Sequence, residues 1–125
     1  MRLKFSLLVI LLAVVLVGCD GLSDQSGGSY GTGDHVVRVV NNAGIRICYL
    51  FLSPPDESSW GEDVLGQYGV LNVGSTFTIR VEEPGTYDAM AVLDRNNDCN
   101  EEGLPQVEER GLEVEGEITW TVNAP

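Results

Sequence analysis

The sequence predicts an all-β fold, an antiparallel β-sandwich of about six to seven short strands set behind a signal peptide and a flexible tether. Three observations lead there. Runs rich in β-branched and aromatic residues recur through residues 35–125, separated by turn signals about every ten positions. Several of these runs alternate apolar and polar side chains with the period of two that a half-buried strand requires. No helical pattern exceeds one turn, and there is no internal repeat of fixed period.

The first β-branched run is Val36 to Val40, and the strongest is Ile45 to Leu52. Asn41-Asn42-Ala43-Gly44 between them supplies residues that tolerate positive φ, so the two runs are expected to form a hairpin. In the second run Ile45, Ile47, Tyr49 and Phe51 share one face and Arg46, Cys48, Leu50 and Leu52 the other. Both faces are largely apolar towards its end, which predicts a central strand. Ser53-Pro54-Pro55 stops it, because proline cannot donate to a ladder.

Residues 56–66 form a long connection. Ser59 and Glu62 have the spacing of a capping box, which predicts one helical turn over Trp60 to Leu65. Thr76 to Val81 alternates, with Phe77, Ile79 and Val81 inward. Pro84-Gly85 is a turn, and Thr86 to Leu93 follows as a strand with Tyr87, Ala89, Ala91 and Leu93 on one face. Gly111 to Glu115 and Glu117 to Val122 flank Gly116 and read as a closing hairpin with Ile118, Trp120 and Val122 inward.

Three segments divide the chain: a leader over 1–18, a tether over 19–34 and the β domain over 35–125. In the leader, Arg2 and Lys4 precede an apolar run from Phe5 to Val17 broken only by Ser6. That run is shorter than the roughly 20 apolar residues a bilayer span needs, and it fits a cleaved export signal. Asp20 to Asp34 is dominated by Gly, Ser and Asp, too poor in apolar side chains to build a core of its own. Removing the leader takes the formal charge from −12 to −14 and leaves five Arg and no Lys. Such a surface repels nucleic acid and anionic headgroups and favours cations, basic partners or high salt. The lack of Lys fits either a protein adapted to high ionic strength or an ordinary acidic exported domain.

The leader ends in Leu16-Val17-Gly18-Cys19, which resembles the lipobox of bacterial lipoproteins. The resemblance implies a diacylglyceryl group with palmitate-type chains on the Cys19 sulfur, cleavage between Gly18 and Cys19, and a membrane anchor facing the periplasm or the cell exterior. Two or more long acyl chains hold stably, since each buried methylene contributes about 0.8 kcal/mol. Asp20 resembles the inner-membrane retention residue of enteric lipoproteins; inner or outer membrane stays open. The alternatives are an ordinary signal peptide with a chance cysteine and an uncleaved membrane helix.

Cys48 and Cys99 remain after lipidation. Two cysteines in an exported domain pair as a disulfide or persist as buried thiols, and export favours the bond. With one distant histidine they make a poor zinc set.

Few residues carry recognisable chemistry. His35 is the only histidine and stands at a strand start, with no nucleophile motif to join it. Nineteen acidic residues always offer a pair for a glycosidase-like site. Nothing in the sequence selects two of them, and Glu82-Glu83, Glu101-Glu102 and Glu108-Glu109 read as solvated turns and edges. There is no phosphate-cradling loop, basic patch or cofactor fingerprint.

Asp94, Asn96, Asp98 and Asn100 alternate directly after a strand and offer oxygen ligands for Ca²⁺, with Glu101 or Glu102 as further donors. This loop departs from an EF-hand by Cys99 at the turn-glycine position and Pro105 at the bidentate position. The other reading is an Asn/Asp-rich turn fastened by Cys99.

Ile47 to Pro54, Trp60 to Gly66 and Pro84 to Asp88 resemble segments of a group of small exported bacterial β-proteins, typically I-x-Y-L-Y-I-S-P, W-G-x-D-L-L-G and G-x-Y-D. The similarity covers roughly residues 36–95, with Phe51 where Tyr is usual and Val64 where Leu is usual. It implies an exported β-sandwich and no particular chemistry. Trp60, Val64 and Leu65 either fold back as a lid, with Glu62 and Asp63 in water, or leave Trp60 as an exposed platform for a sugar or a peptide. Two functions follow: a non-enzymatic binding or structural module on a lipid anchor, its protein or carbohydrate partner open, or a small envelope hydrolase using a carboxylate pair.

Overall fold

Alternating apolar side chains on each run force the chain into two sheets that bury their facing sides. The computed structural model describes residues 26–66, 69–96, 98–100 and 102–125. The expected leader, the lipobox-like segment with Cys19 and the expected tether up to residue 25 lie outside them, as do Asn97 and Glu101 of the acidic loop. The described residues contain seven strands: β1 (Ser26–Tyr30), β2 (His35–Asn42), β3 (Ile47–Ser53), β4 (Thr76–Val81), β5 (Gly85–Leu93), β6 (Gln106–Val114) and β7 (Glu117–Asn123). One sheet runs β1-β4-β2-β7 and the other β3-β5-β6. The all-β sandwich is therefore the observed fold, with no α-helix among the described residues.

Between the sheets, Val37, Val39, Phe77, Ile79, Trp120 and Val122 of the first meet Ile47, Leu50, Ala89, Ala91, Leu93 and Val114 of the second. Fully burying a side chain such as Phe77 contributes roughly 1.5–3 kcal/mol. Strand β5 is central in its sheet and buried on both faces from Asp88 to Leu93, which its small Ala89 and Ala91 permit.

The fold departs from the sequence-based expectations at several places, each with a local cause. The four-stranded sheet is mixed, not uniformly antiparallel: β2 pairs with β4 antiparallel, but β2–β7 and β1–β4 are parallel. Parallel neighbours need crossovers, and both expected hairpins are in fact crossings between the sheets.

At the first crossing, Asn41 is fully buried and its side chain takes the place of a turn. Its amide donates to the Ile45 and Leu71 carbonyls, both at 2.9 Å, and its oxygen accepts the Ala43 N–H at 3.0 Å. The chain thus leaves β2 and enters the opposite sheet at β3. At the second crossing, Val36 N–H donates to the Gly116 carbonyl at 2.7 Å and Gly116 N–H donates to His35 Nδ1 at 2.9 Å. The turn is pulled onto β2, and β7 continues parallel to it.

Strand β3 is an edge strand rather than a central one. Its outer side is covered by loop backbone: Val64 N–H reaches the Leu50 carbonyl at 2.8 Å, and Ile47 and Leu71 exchange two bonds of 2.9 Å. Covering an edge with a loop hides it from foreign strands as a further strand would. The capping-box helix is absent over Trp60 to Leu65 in the same loop. Asp63 is half-buried rather than in water: its Oδ1 accepts the N–H groups of Leu50 at 2.9 Å and Leu65 at 3.0 Å.

The tether also differs from expectation. Its final part is β1, laid parallel along the edge of β4. A glycine and serine strand needs no apolar side chains to add to an edge, because main-chain bonds hold it and small residues permit close approach. At Gly31 (φ +83°) a Cβ would sit 2.3 Å from the Arg80 carbonyl oxygen, and at Gly33 (φ +121°) 2.2 Å from that of Val81. Thr32 Oγ1 donates to Glu82 at 2.8 Å and adds a side-chain hold.

Candidate functional site

Two regions gather the residues singled out by the sequence. The first is the acidic loop after β5. Cys48 of β3 and Cys99 of the loop form a disulfide with their Cα atoms 5.6 Å apart, inside the usual range for such bonds. The loop is pinned further by Tyr49 Oη donating to the Cys99 carbonyl at 2.9 Å, by Leu93 N–H to the Pro105 carbonyl at 2.8 Å and by Asp94 N–H to the Arg46 carbonyl at 3.0 Å.

Asp94 is buried and engaged on both oxygens. Oδ2 accepts from Arg46 Nε, and Oδ1 accepts the Asp98 N–H at 2.6 Å. Burial alone would raise this carboxyl. The hydrogen bond and charge of Arg46, with the N–H groups of Asp98 and Asn96, outweigh it and hold Asp94 below the ordinary aspartate value. Asp98 Oδ1 accepts the Asn100 N–H at 3.0 Å, and Asn96 and Asp98 are exposed. The structure thus brings Asp94 and Asp98 together as the cap of a turn. Calcium ligation by Asp94, Asn96 and Asp98 would require Asp94 Oδ2 to exchange a guanidinium for the ion. The two cysteine sulfurs and an Asp94 oxygen lie within 4.8 Å of one another. Bonded to each other, those sulfurs offer no thiolate to a metal. Beside the disulfide lies a recess of ≈ 390 Å³ lined by Tyr49, Val92, Asn100 and Leu104.

The second region surrounds Trp60. Val64 and Leu65 are buried in the core and Trp60 is half-buried, so the segment packs against the open edge of β3 while leaving part of the indole accessible. The Arg110 guanidinium carbon lies 4.8 Å from the ring centroid, a cation–π contact. Arg110 itself is held by Asp88 Oδ2 at 2.9 Å and Glu108 Oε2 at 3.1 Å.

Asp88 also accepts the Gly111 N–H at 2.9 Å, at a bulge where β5 and β6 shift register and Gly111 takes a φ of 75°. The Gly111 N–H is the main cause that holds the Asp88 carboxyl below its ordinary value; Arg110 adds to it against the opposing effect of burial. Sequence reasoning missed Asp88 because a lone acid inside an apolar run carries no signal of the bulge it closes.

Trp60 lines two recesses. One holds Arg110, Asp88, Pro55 and Ser58. The other, of ≈ 240 Å³, is bounded by Tyr30, Leu52, Pro54, Glu57, Ser59 and Glu62. Tyr30 comes from the tether strand, and its hydroxyl donates to Glu62 Oε1. That hydrogen bond, then burial and the Glu62 charge, raises the phenol above its ordinary value, so it remains a proton donor across the physiological range.

The depressed Asp88 and Asp94 carboxyls make stability depend on acid in a defined sense. A folded value below the unfolded one of about 3.9 means a contribution complete above roughly pH 5 and lost as pH falls through the folded values. Thermal melts from pH 7 to pH 2 are expected to show an acid limb that is shallower in Asp88→Asn/Asp94→Asn. Parallel limbs in the two proteins would contradict the assignment.

Comparison of the chain with known protein families, with characterised proteins and with solved structures gives no match.

Proposed function

We propose that this chain is a lipid-anchored envelope protein whose β-sandwich serves as a non-enzymatic binding module. The anchor rests on Leu16-Val17-Gly18-Cys19 at the end of the apolar leader. The Cys48–Cys99 disulfide supports it, since such bonds persist in oxidising, exported compartments. Binding is carried by one observation: the accessible Trp60 indole between two recesses. Against hydrolysis stands the chemistry of the buried carboxylates. Asp88 and Asp94 are both held ionised by an arginine and by backbone N–H groups, whereas a general acid needs its pKa raised.

Docking of β1 sets the geometry of display. Six residues, 20–25, separate the lipid-bearing cysteine from the sandwich, and so short a segment reaches at most about 25 Å. The domain would therefore work close to the membrane surface rather than at the end of a long leash. Metabolic labelling with a clickable fatty acid tests the anchor. Label and membrane pelleting are expected for the native chain and are lost in Cys19→Ser; equal labelling of both would refute lipidation.

A further inference from the structure

We propose that the recess between Tyr30 and Trp60 receives an arginine side chain from an extended, basic segment of an envelope protein, and that the tether strand completes this site. The proposal deepens the reading of the domain as a binding module and rests on it.

The walls of the recess identify the ligand class. Tyr30 and Trp60 supply aromatic surface, Leu52, Pro54 and Val64 an apolar floor, and Glu57 and Glu62 two carboxylates. Glu57 and Glu62 are exposed, and neither forms an ion pair with an arginine among the described residues. At ≈ 240 Å³ the space is below the 300–1,000 Å³ typical of sites for drug-sized molecules, and it suits a single side chain. Aromatic walls with acidic rims select a cation with a flat, weakly hydrated head. The planar guanidinium stacks on indole and donates to two carboxylate oxygens at once, whereas an ammonium is compact and strongly hydrated.

The fold contains its own example of this recognition. In the neighbouring recess Arg110 lies over the same Trp60 ring while Asp88 and Glu108 hold its guanidinium. The Tyr30 side repeats the ingredients, an aromatic surface and two carboxylates, without a resident arginine among its lining residues. A mature chain at −14 also draws basic segments towards it before contact.

Tyr30 belongs to β1, held on β4 by main-chain pairing and by the close approach of Gly31 and Gly33 to the β4 carbonyls. If β1 leaves, one aromatic wall leaves with it. Occupancy of the recess and docking of the tether are therefore coupled, and by linkage an arginine ligand favours the docked tether.

The test uses the full chain, expressed with its own leader and solubilised in detergent, titrated with an acetylated, amidated peptide of alternating glycine and arginine. Saturable heat is expected in calorimetry, with a change in tryptophan emission. A peptide with citrulline in place of arginine keeps the shape and loses the charge, and is expected to bind at least about tenfold more weakly. Glu57→Gln and Glu62→Gln, both at exposed positions, are each expected to weaken arginine-peptide binding about tenfold while leaving the melting temperature within a few degrees. Gly33→Ala, which collides with β4, is expected to weaken binding through loss of Tyr30. Glu115→Gln, in the β6–β7 turn, removes the same charge elsewhere and is expected to change little. The proposal is overturned by an absence of saturable binding at millimolar peptide, by equal binding of the citrulline peptide, or by an equal loss in Glu115→Gln. Fatty-acid labelling is read on the same preparation, so failure of peptide binding leaves the anchor assignment standing.

Discussion

Replacing Cys48 and Cys99 together with alanine is expected to lower the melting temperature by roughly 15 °C or more. The bond closes a loop with a sequence separation of 51. Constraining a loop of that length in the unfolded chain contributes about 4 kcal/mol in the chain-entropy model. For a domain of this size each kcal/mol moves the midpoint by about 4–8 °C. The folded state loses contacts as well. Cys99 presents the carbonyl that accepts the Tyr49 hydroxyl, so an untethered loop releases Tyr49 and opens the side of β3. Melts of the native and doubly substituted proteins, with and without reductant, read the effect. The native protein in reductant should approach the variant. A shift of less than about 3 °C would show that the other pins of the loop suffice without the bond.

Asn41→Ala is expected to cost about 3 kcal/mol or more, a large effect for one polar side chain. Asn41 has no exposed surface, and two backbone groups depend on it, the Ile45 carbonyl and the Ala43 N–H, while the Leu71 carbonyl would lose one of two bonds and keep that from Ile47 N–H. Each buried group left without its bond costs about 1–3 kcal/mol. Asn41→Asp should be at least as damaging, since a carboxylate cannot donate to either carbonyl and its charge would be buried. Asn41→Leu restores volume and still leaves two orphans. Urea unfolding at neutral pH measures these changes. A loss below about 1 kcal/mol in Asn41→Ala, with an unchanged denaturant slope, would mean that water replaces the side chain and that the crossing does not depend on it.

Much of the domain is legible from local chemistry. The alternation of Phe77, Ile79 and Val81, and of Ile118, Trp120 and Val122, marks strands and their inward faces, because a pleated backbone turns successive side chains to opposite sides. Phe77, Ile79, Trp120 and Val122 are buried in the core as that pattern requires. Cys48 and Cys99 are expected to pair if the chain is exported, and the disulfide between them is present in the structure. Trp60, Val64 and Leu65 stand out as apolar residues in a polar loop, which is enough to suggest a lid.

Tertiary structure alone decided how those pieces pair. Asn41-Asn42-Ala43-Gly44 and Glu115-Gly116 carry turn residues that serve a hairpin and a crossing equally well, since positive φ at a glycine reverses the chain without naming its next neighbour. What sends the chain across is remote: Leu71 for Asn41, and His35 for Gly116, partners 30 and 81 positions away. The same holds for Asp63, Asp88 and Asp94, whose carboxylates look like solvated acids in a chain with nineteen of them. They become structural only when β3, Gly111 and Arg46 arrive to fill their lone pairs. The glycine-rich end of the tether carries no apolar signal, so its place as β1 depends on an edge that exists only after β4 has folded beside β2. Composition and periodicity set which residues are strands and which faces are buried, because those are properties of neighbours in sequence. Register, sheet membership and the assembly of Tyr30 with Trp60 depend on main-chain hydrogen bonds between distant segments, and those have no local signature.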